Sequence, residues 1–376
     1  MRGDGARPAI LVAAFSARQM AESARRAGID ALAVDFFGDL DLHDTARAAR
    51  TLRGHYPDGF SADELMAALD ELAGSATILG FAHGAGFEDR PELLDRIAAR
   101  WPILGSDAAT LRFLKDPERF AALCASADVV HPAIRRDAPP DSAGWLSKAV
   151  GGAGGSHVRH AGNAPPEPGR YHQRLVAGPR WSAAFLGTPA GETRVLGFTR
   201  QWCDPSPEEP FRYGGAVGPL ASPEPAGALM RAAVARLART LPLVGLGSAD
   251  FVLAEDGPVL LEINQRFGAT VDVFDTEAAP LMALHIAACR GALPAAWSPP
   301  GAIRACGLAW AGEPLSLMPG FRWPDWTSDR SRPPAAFPAG APLCTVRAEG
   351  DTADAAEALF RDRTRSILRS ASRRAA

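Results

Sequence analysis

Residues 247–254 read GSADFVLA and residues 260–270 read LLEINQRFGAT, with Glu255-Asp256-Gly257 opening the link between them. Two short runs of strand composition separated by such a turn read as a β-hairpin. A three-residue turn with Gly257 in the left-handed position puts Asp250 opposite Glu262. Asn264 then shares their face, because side chains alternate along a strand. A two-residue turn would slip the register by one and send Asp250 to the other face. What the rest of the chain has to explain is why one hairpin collects Asp250, Glu262, Asn264 and then Arg266.

The composition sets wide bounds. A chain of 376 residues is long enough for two or three domains with real cores. It is 47% hydrophobic and 22% charged with a formal net charge of −3, and Lys and Arg are scattered, so no basic face for nucleic acid is expected. No apolar run approaches the ~20 residues that a membrane span needs. The start, MRGDGARPAILVAAF, has basic residues before an apolar run, but that run continues into a βαβ pattern and does not read as a signal peptide. Cys124, Cys203, Cys289, Cys306 and Cys344 are odd in number and lack CxxC spacing. They read as reduced, mostly buried thiols of a cytoplasmic protein.

Strand, helix, strand at Ala9–Phe15, Ala17–Ala27 and Asp30–Phe36, with Ser16 as the helix cap and Gly28 as its end, reads as the first βαβ unit of an open parallel sheet. A helix over Ala62–Leu72, a strand over Ala76–Ala82, a helix over Pro91–Arg100 and a short strand at Pro102–Leu104 complete an α/β domain ending near Asp107. Ligands in such sheets sit at the carboxyl ends of the strands, which makes Phe15, Ser16, Asp35 and the segment His83–Glu88 candidates to line a pocket. The His83-Gly84-Ala85-Gly86 run also reads as a plain tight loop. Thr110–Ala127 reads as a helix carrying Lys115. Trp145–Val150 is a strand holding Lys148, followed by Gly151-Gly152-Ala153-Gly154-Gly155-Ser156. Strands are expected at Arg170–Val176, Trp181–Leu186, Arg194–Cys203, Arg304–Trp310 and Pro342–Arg347, and helices at Ala226–Leu241, Glu277–Ala288 and Ala353–Ser370. Ser328–Pro342 reads as a loop.

Two lysines and a glycine-rich loop suit a polyphosphate, because glycine lets backbone N–H groups approach phosphate oxygens closely and takes positive φ. Two carboxylates and an amide oxygen on one face suit Mg²⁺, which binds a few carboxylates together with substrate phosphates. Arg266 can neutralise charge on a transferring phosphoryl group. Each piece alone has a plainer reading: a linker for the glycines, a solvated strand end for Lys148, an ion pair with Arg266 for Glu262. A Walker A loop is excluded, because Lys148 precedes the glycines, and the GxGxxG order of a dinucleotide site is absent.

Taken in order, the pieces resemble the ATP-grasp superfamily of carboxylate–amine ligases. SKAVGGAGGSHV (147–158) looks like its second-lysine strand and phosphate-covering loop, and YHQRLVAGPRWS (171–182) like the hinge strand beneath the adenine. GSADFVL with LLEINQR looks like its magnesium hairpin, and LKDPERFAALCASADVVHP (114–132) like its first lysine and the subdomain after it. APLCTVRAEGDTADAAEALF (341–360) resembles a small closing module. The chain departs from the pattern at Ala149, Gln173, Ala177 and Gln265.

The resemblance implies an α/β (α+β) ATP-grasp fold. Its parts would be a preceding α/β domain at 1–107, a lid subdomain at 108–180, a large subdomain at 181–298 and a closing module at 299–376. It implies ATP and Mg²⁺ (or Mn²⁺) as cofactors. Lys115, Lys148, Gly151, Gly152, Gly154, Gly155, Ser156, Gln173, Arg174, Leu175 and Val176 would hold the nucleotide. Asp250, Glu262 and Asn264 would hold the metal, and Lys148 and Arg266 would serve catalysis. Arg200, Tyr213, Gly214, Gly215, His83 and Gly84 are the substrate-side candidates, with a surface salt bridge as the other reading of Arg200. The implied partners are a small-molecule carboxylate and an amine, with no nucleic acid and no membrane; a homodimer is left open. A kinase, a carboxylase-like enzyme and a non-catalytic nucleotide binder are the alternatives. GFAHGAGFEDRPELLDRIAARWPILGSD (80–107) bears a fainter resemblance to the tyramine–glutamate ligase group of methanofuran-type and methylofuran-type cofactor synthesis.

Overall fold

The computed structural model describes residues 7–54 and 59–372. The basic start of the chain, residues 1–6, lies outside the described residues. The first part runs β1 (Ala9–Ala13), α1 (Arg18–Arg26), β2 (Asp30–Asp35), α2 (Leu40–Thr45), β3 (Ala48–Thr51), α3 (Ala62–Ala73), β4 (Ile78–His83) and α4 (Glu92–Ala98). Its parallel sheet has the order β3-β2-β1-β4. β1, AILVA, is apolar at every position because both faces are covered. Ile10 and Val12 join a core with Met20, Leu281 and Ile286, whereas Leu11 packs with Leu65, Leu69, Leu93 and Ile97. α2 and β3 were not expected from the sequence.

Two sequence expectations fail here for local reasons. Ser16 does not cap α1, whose N-cap is Ala17 with no side-chain hydrogen bond; the Ser16 hydroxyl donates to Asp329 Oδ1 at 2.9 Å. The single helix expected over Thr110–Ala127 is two, α5 (Ala108–Lys115) and α6 (Pro117–Ser126). Pro117 lacks an N–H and drives the residue before it out of the helical region. Asp116 accordingly sits at φ −80°, ψ 111°. Its carboxylate caps α6 by accepting from the N–H groups of Glu118 and Arg119, both at 3.0 Å. Lys115 thereby becomes the last residue of a helix that ends at the site.

A small sheet follows, built from β5 (Ile134–Arg135), β6 (Trp145–Ala149), β7 (Arg159–His160) and β8 (Arg170–Arg174) in the order β5-β8-β6-β7. Next come β9 (Arg180–Gly187), β10 (Thr193–Cys203), β11 (Tyr213–Leu220), α7 (Ala226–Thr240), β12 (Gly245–Ala254), β13 (Gly257–Asn264), α8 (Val271–Phe274) and α9 (Leu281–Cys289). The last part holds β14 (Ile303–Trp310), β15 (Leu315–Leu317), β16 (Thr327–Ser328), β17 (Ala335–Phe337), β18 (Pro342–Gly350) and α10 (Ala353–Ser372). The segment expected as a loop at Ser328–Pro342 contains β17, which pairs with β15. One sheet of eight strands, β13-β12-β9-β10-β11-β14-β18-β16, runs from the hairpin into the C-terminal part. Among the described residues no helix is long and apolar enough to cross a membrane.

The expected pairing of Asp250 with Glu262 is present, but the turn differs. Gly257 pairs with Ala254, so the turn is Glu255-Asp256 alone. The register then shifts between Asp250 and Phe251: Phe251 faces Leu260 while Asp250 faces Glu262. Leu261 is therefore the extra residue of a β-bulge, which restores the phase that a two-residue turn takes away. Leu260 and Ile263 stay in the core, whereas Leu261, Glu262 and Asn264 all face a cleft.

Candidate active site

The cleft, of about 560 Å³, lies between the hairpin, the small sheet and the carboxyl ends of β1 and β4. Asp250 on β12, Glu262 and Asn264 on β13, and Arg266 just beyond line it together with Lys148. The Asn264 amide nitrogen donates to Asp250 Oδ2 at 3.1 Å and to Glu262 Oε1 at 3.0 Å. Its oxygen accepts from Lys115 Nζ at 3.0 Å. Ser182, opposite Asp250 on β9, donates to Asp250 Oδ1 at 2.6 Å. Lys148 Nζ donates to Gln173 Oε1 at 3.2 Å.

Burial penalises both carboxylates, and their neighbours separate them. Burial and then the charge of Glu262 push Asp250 up from the usual carboxylate range. Burial alone would push Glu262 up as well, but Lys115 and Lys148 outweigh it and hold that carboxyl well below its usual range. Two carboxylates and an amide on one face, bridged by an NH₂ group where a cation would be equally welcome, fit a hard divalent ion completed by phosphate oxygens.

Arg266 is largely buried and ion-paired through Nε with Glu88, whose carboxylate also accepts from the N–H groups of Gly86 at 2.8 Å and Phe87 at 3.1 Å. Burial raises Glu88, but Arg266 and Lys115 bring it down to about 2. The pair fastens the end of the hairpin to the loop after β4, helped by the Phe267 N–H on the His83 carbonyl at 3.3 Å. Gln265, one of the departures from the resembled pattern, is tied to the sheet: its Nε2 donates to the Val244 carbonyl at 2.8 Å.

The glycine loop closes one side. Gly154 and Gly155 line the main cleft; Gly151 and Gly152 line a smaller cavity beside it with Lys115, Lys148 and Glu262. Gly155 has φ +75°, and a Cβ there would stand 2.2 Å from the Phe211 carbonyl oxygen. The Tyr213 N–H donates to the Gly154 carbonyl at 2.9 Å. The loop thus docks on residues 211–213 through backbone alone. Ser156 is not among the residues facing the cleft. Gln173, Arg174, Leu175 and Val176 line its other wall.

The substrate-side candidates divide. Tyr213 and Gly84 line the cleft. His83 does not; it is buried with Nδ1 3.0 Å from the Gly84 carbonyl oxygen. Gly214 and Gly215 lie under the Trp202 indole, which a Cβ at either would strike at 2.7 and 2.3 Å. Arg200 turns away to α10, where NH2 meets Glu357 at 2.7 Å and Asp354 at 3.1 Å. The plainer reading of Arg200 holds. Ser182 and the Glu88–Arg266 pairing were missed, since both depend on which strands and domains become neighbours.

Residues 121–270 match the family profile described as the ATP-grasp domain. A comparison with curated proteins finds no match. Among solved structures the chain is similar to a biotin carboxylase from Campylobacter jejuni, with 13% identity, TM-score 0.69 and coverage of 96% of this chain and 95% of that one. It is also similar to an L-amino acid ligase from Bacillus licheniformis, with 13% identity, TM-score 0.67 and coverage of 94% and 96%. The biotin carboxylase domain of the Hydrogenobacter thermophilus 2-oxoglutarate carboxylase, solved with MgADP and bicarbonate, has 13% identity, TM-score 0.68 and coverage of 96% and 89%. At these identities the likeness is one of fold.

Proposed function

We propose, from the premise that this chain carries an ATP-grasp domain over residues 121–270, that it is an ATP- and Mg²⁺-dependent ligase joining a small-molecule carboxylate to an amine. The observation that carries this reading is the set Asp250, Glu262 and Asn264 on one face, ringed by Lys115, Lys148 and Arg266 in the wall of a cleft roofed by a glycine loop. In this reading Lys115 and Lys148 bind the phosphates, and residues 173–176 line the base pocket. Asp250, Glu262 and Asn264 would hold Mg²⁺, which supplies screening of phosphate charge when bound. A substrate carboxylate oxygen attacks the γ-phosphorus, the bond to the bridging oxygen breaks, and ADP leaves. An amine then attacks the acyl carbon of the acyl phosphate, inorganic phosphate departs, and the amine's proton passes to solvent. No protein nucleophile is needed; positioning and preorganised charge carry the rate. A narrower reading, glutamate addition in methanofuran-type or methylofuran-type cofactor synthesis, rests on the first-domain resemblance alone.

Incubation with ATP, Mg²⁺ and a panel of amino acids and amines tests the proposal. ADP, phosphate and a new amide in equal amounts are expected. AMP would overturn the acyl-phosphate route, and a phosphorylated product without amide would point to a kinase. The loop gives a second test. Gly155→Ala places a side chain at positive φ, at a cost of ~1–2 kcal/mol, and against the Phe211 carbonyl oxygen 2.2 Å away. The KM for ATP is expected to rise about tenfold and the urea midpoint to fall by no more than that strain accounts for; an unaltered KM would mean the loop does not close on the nucleotide.

A further inference from the structure

Beyond the hairpin the cleft continues to a far wall lined by Phe15, Ser16, Phe37, Asp39, Asp329 and Ser331. Asp39 stands between β2 and α2 and is 2% exposed. Its side chain does not cap α2, and its Oδ2 has no hydrogen-bond partner among the described residues. The neighbouring carboxylates are served from within the protein. Asp35 accepts from the Gly38 N–H at 3.0 Å. Asp41 accepts from the N–H groups of Asp329 at 2.8 Å and Arg330 at 3.0 Å. Asp329 accepts from Ser16 at 2.9 Å, from Arg18 Nε at 3.1 Å and from Thr345 at 2.5 Å. Burial first, and then Asp329, Asp35 and Asp41, push the Asp39 carboxyl up to about 9. Pushed that high, the carboxyl carries its proton at neutral pH; a cation docked against Oδ2 would draw that proton off to solvent and give the unpartnered oxygen both its charge and its donor.

We infer that Asp39, flanked by Asp329 and Ser16, anchors a cationic group, an alkylammonium, on the small molecule bound in this cleft. Only the statement that this molecule is a substrate rests on the ligase reading. A metal ion fits less well, because the neighbouring carboxylates of Asp35, Asp41 and Asp329 are already engaged by donors from within the protein. An organic cation needs no carboxylate shell, and the rings of Phe15 and Phe37 beside Asp39 suit its apolar stem and its charge. The substrate class is therefore a molecule with an ammonium group docked at Asp39 and its reacting group toward Arg266.

The test uses the whole chain, wild type and Asp39→Asn, titrated by ligand-detected NMR. The probes are butylammonium and phenethylammonium, each against its alcohol, 1-butanol or 2-phenylethanol. Wild type is expected to bind each ammonium at least about tenfold tighter than its alcohol, as one charge-assisted hydrogen bond provides. In Asp39→Asn that preference should fall to within about twofold. Equal binding of ammonium and alcohol by wild type would overturn the anchor, as would an undiminished preference in the variant. If the variant does not fold, the wild-type comparison still decides. MgATP affinity is measured separately: its absence would defeat the ligase reading while an ammonium preference left the anchor standing.

Discussion

Glu262→Gln is expected to lower kcat/KM by about 10³-fold or more, near the ~4 kcal/mol upper end of what one preorganised electrostatic group supplies. The replacement keeps the shape of the side chain and removes its charge. That charge is the one Lys115 and Lys148 hold in place against burial, and the one beside which Asp250 is driven toward protonation. Without it the pair becomes a single carboxylate that burial disfavours, and a divalent ion loses half of its anionic ligand set. Near-ultraviolet circular dichroism and the urea midpoint should match wild type, since Glu262 lies in a cleft wall and not in the core. Activity within tenfold of wild type would remove the metal assignment. A higher Mg²⁺ concentration for half-maximal rate in any residual activity would support it.

The largest loss of stability is expected from Arg18→Met. The guanidinium is fully buried, and both its terminal nitrogens meet the Asp272 carboxylate at 2.8 Å. Nε and NH2 each reach Asp329 at 3.1 Å, and Glu22 lies 3.3 Å away. One side chain thus joins α1, α8 and the segment after β16. Methionine fills similar volume but leaves two buried carboxylates without their cation, a change that costs ~3–5 kcal/mol. The sign of its pH dependence follows. In wild type burial opposes ionisation, but Arg18 overcomes it and holds Asp272 below its unfolded value, so that stabilisation is present near neutrality and fades as pH falls toward the folded value. In the variant only Gln19 and Arg347 remain to oppose burial, which then raises the same carboxyl, a penalty that is absent below the unfolded value and grows as pH rises above it. Urea titrations at pH 7 and pH 4.5 should therefore show the gap between the two proteins narrowing in acid. A gap under about 1 kcal/mol at pH 7 would mean the cluster is solvated or rearranges.

The apolar runs at 9–13 and 31–34 were readable as parallel strands because a sheet covered on both faces leaves no polar position inside them to confuse the pattern. Lys148, the glycine loop and the hairpin residues stood out by the side-chain types that polyphosphate and metal chemistry draws on, and the structure gathers them round one cleft. The turn was not readable. Alternation counted from a two-residue turn would pair Glu262 with Ala249 and turn it toward the core, and only the bulge at Leu261 brings it opposite Asp250. Nothing in Leu260-Leu261-Glu262 announces which leucine is the extra one. The break at Asp116-Pro117 is legible in the proline itself, but a continuous apolar period runs across it and hides it. Arg200 and Glu88 found partners 157 and 178 residues away, at a range where sequence spacing says nothing about proximity.

The eight-stranded sheet has a further consequence for where this chain can be cut. β11 pairs with β14 over Gly215–Gly218, and β14 pairs with β18 along almost its whole length. A fragment ending at 298 would keep Asp250, Glu262 and Asn264, yet it would convert β11 from an interior strand into an open border with unsatisfied N–H and C=O groups beside the apolar Val217. Such a border recruits strands from other molecules. The last part of the chain therefore acts as a seal on the catalytic sheet, and a shortened protein is more apt to polymerise through that border than to survive as an isolated nucleotide-binding unit.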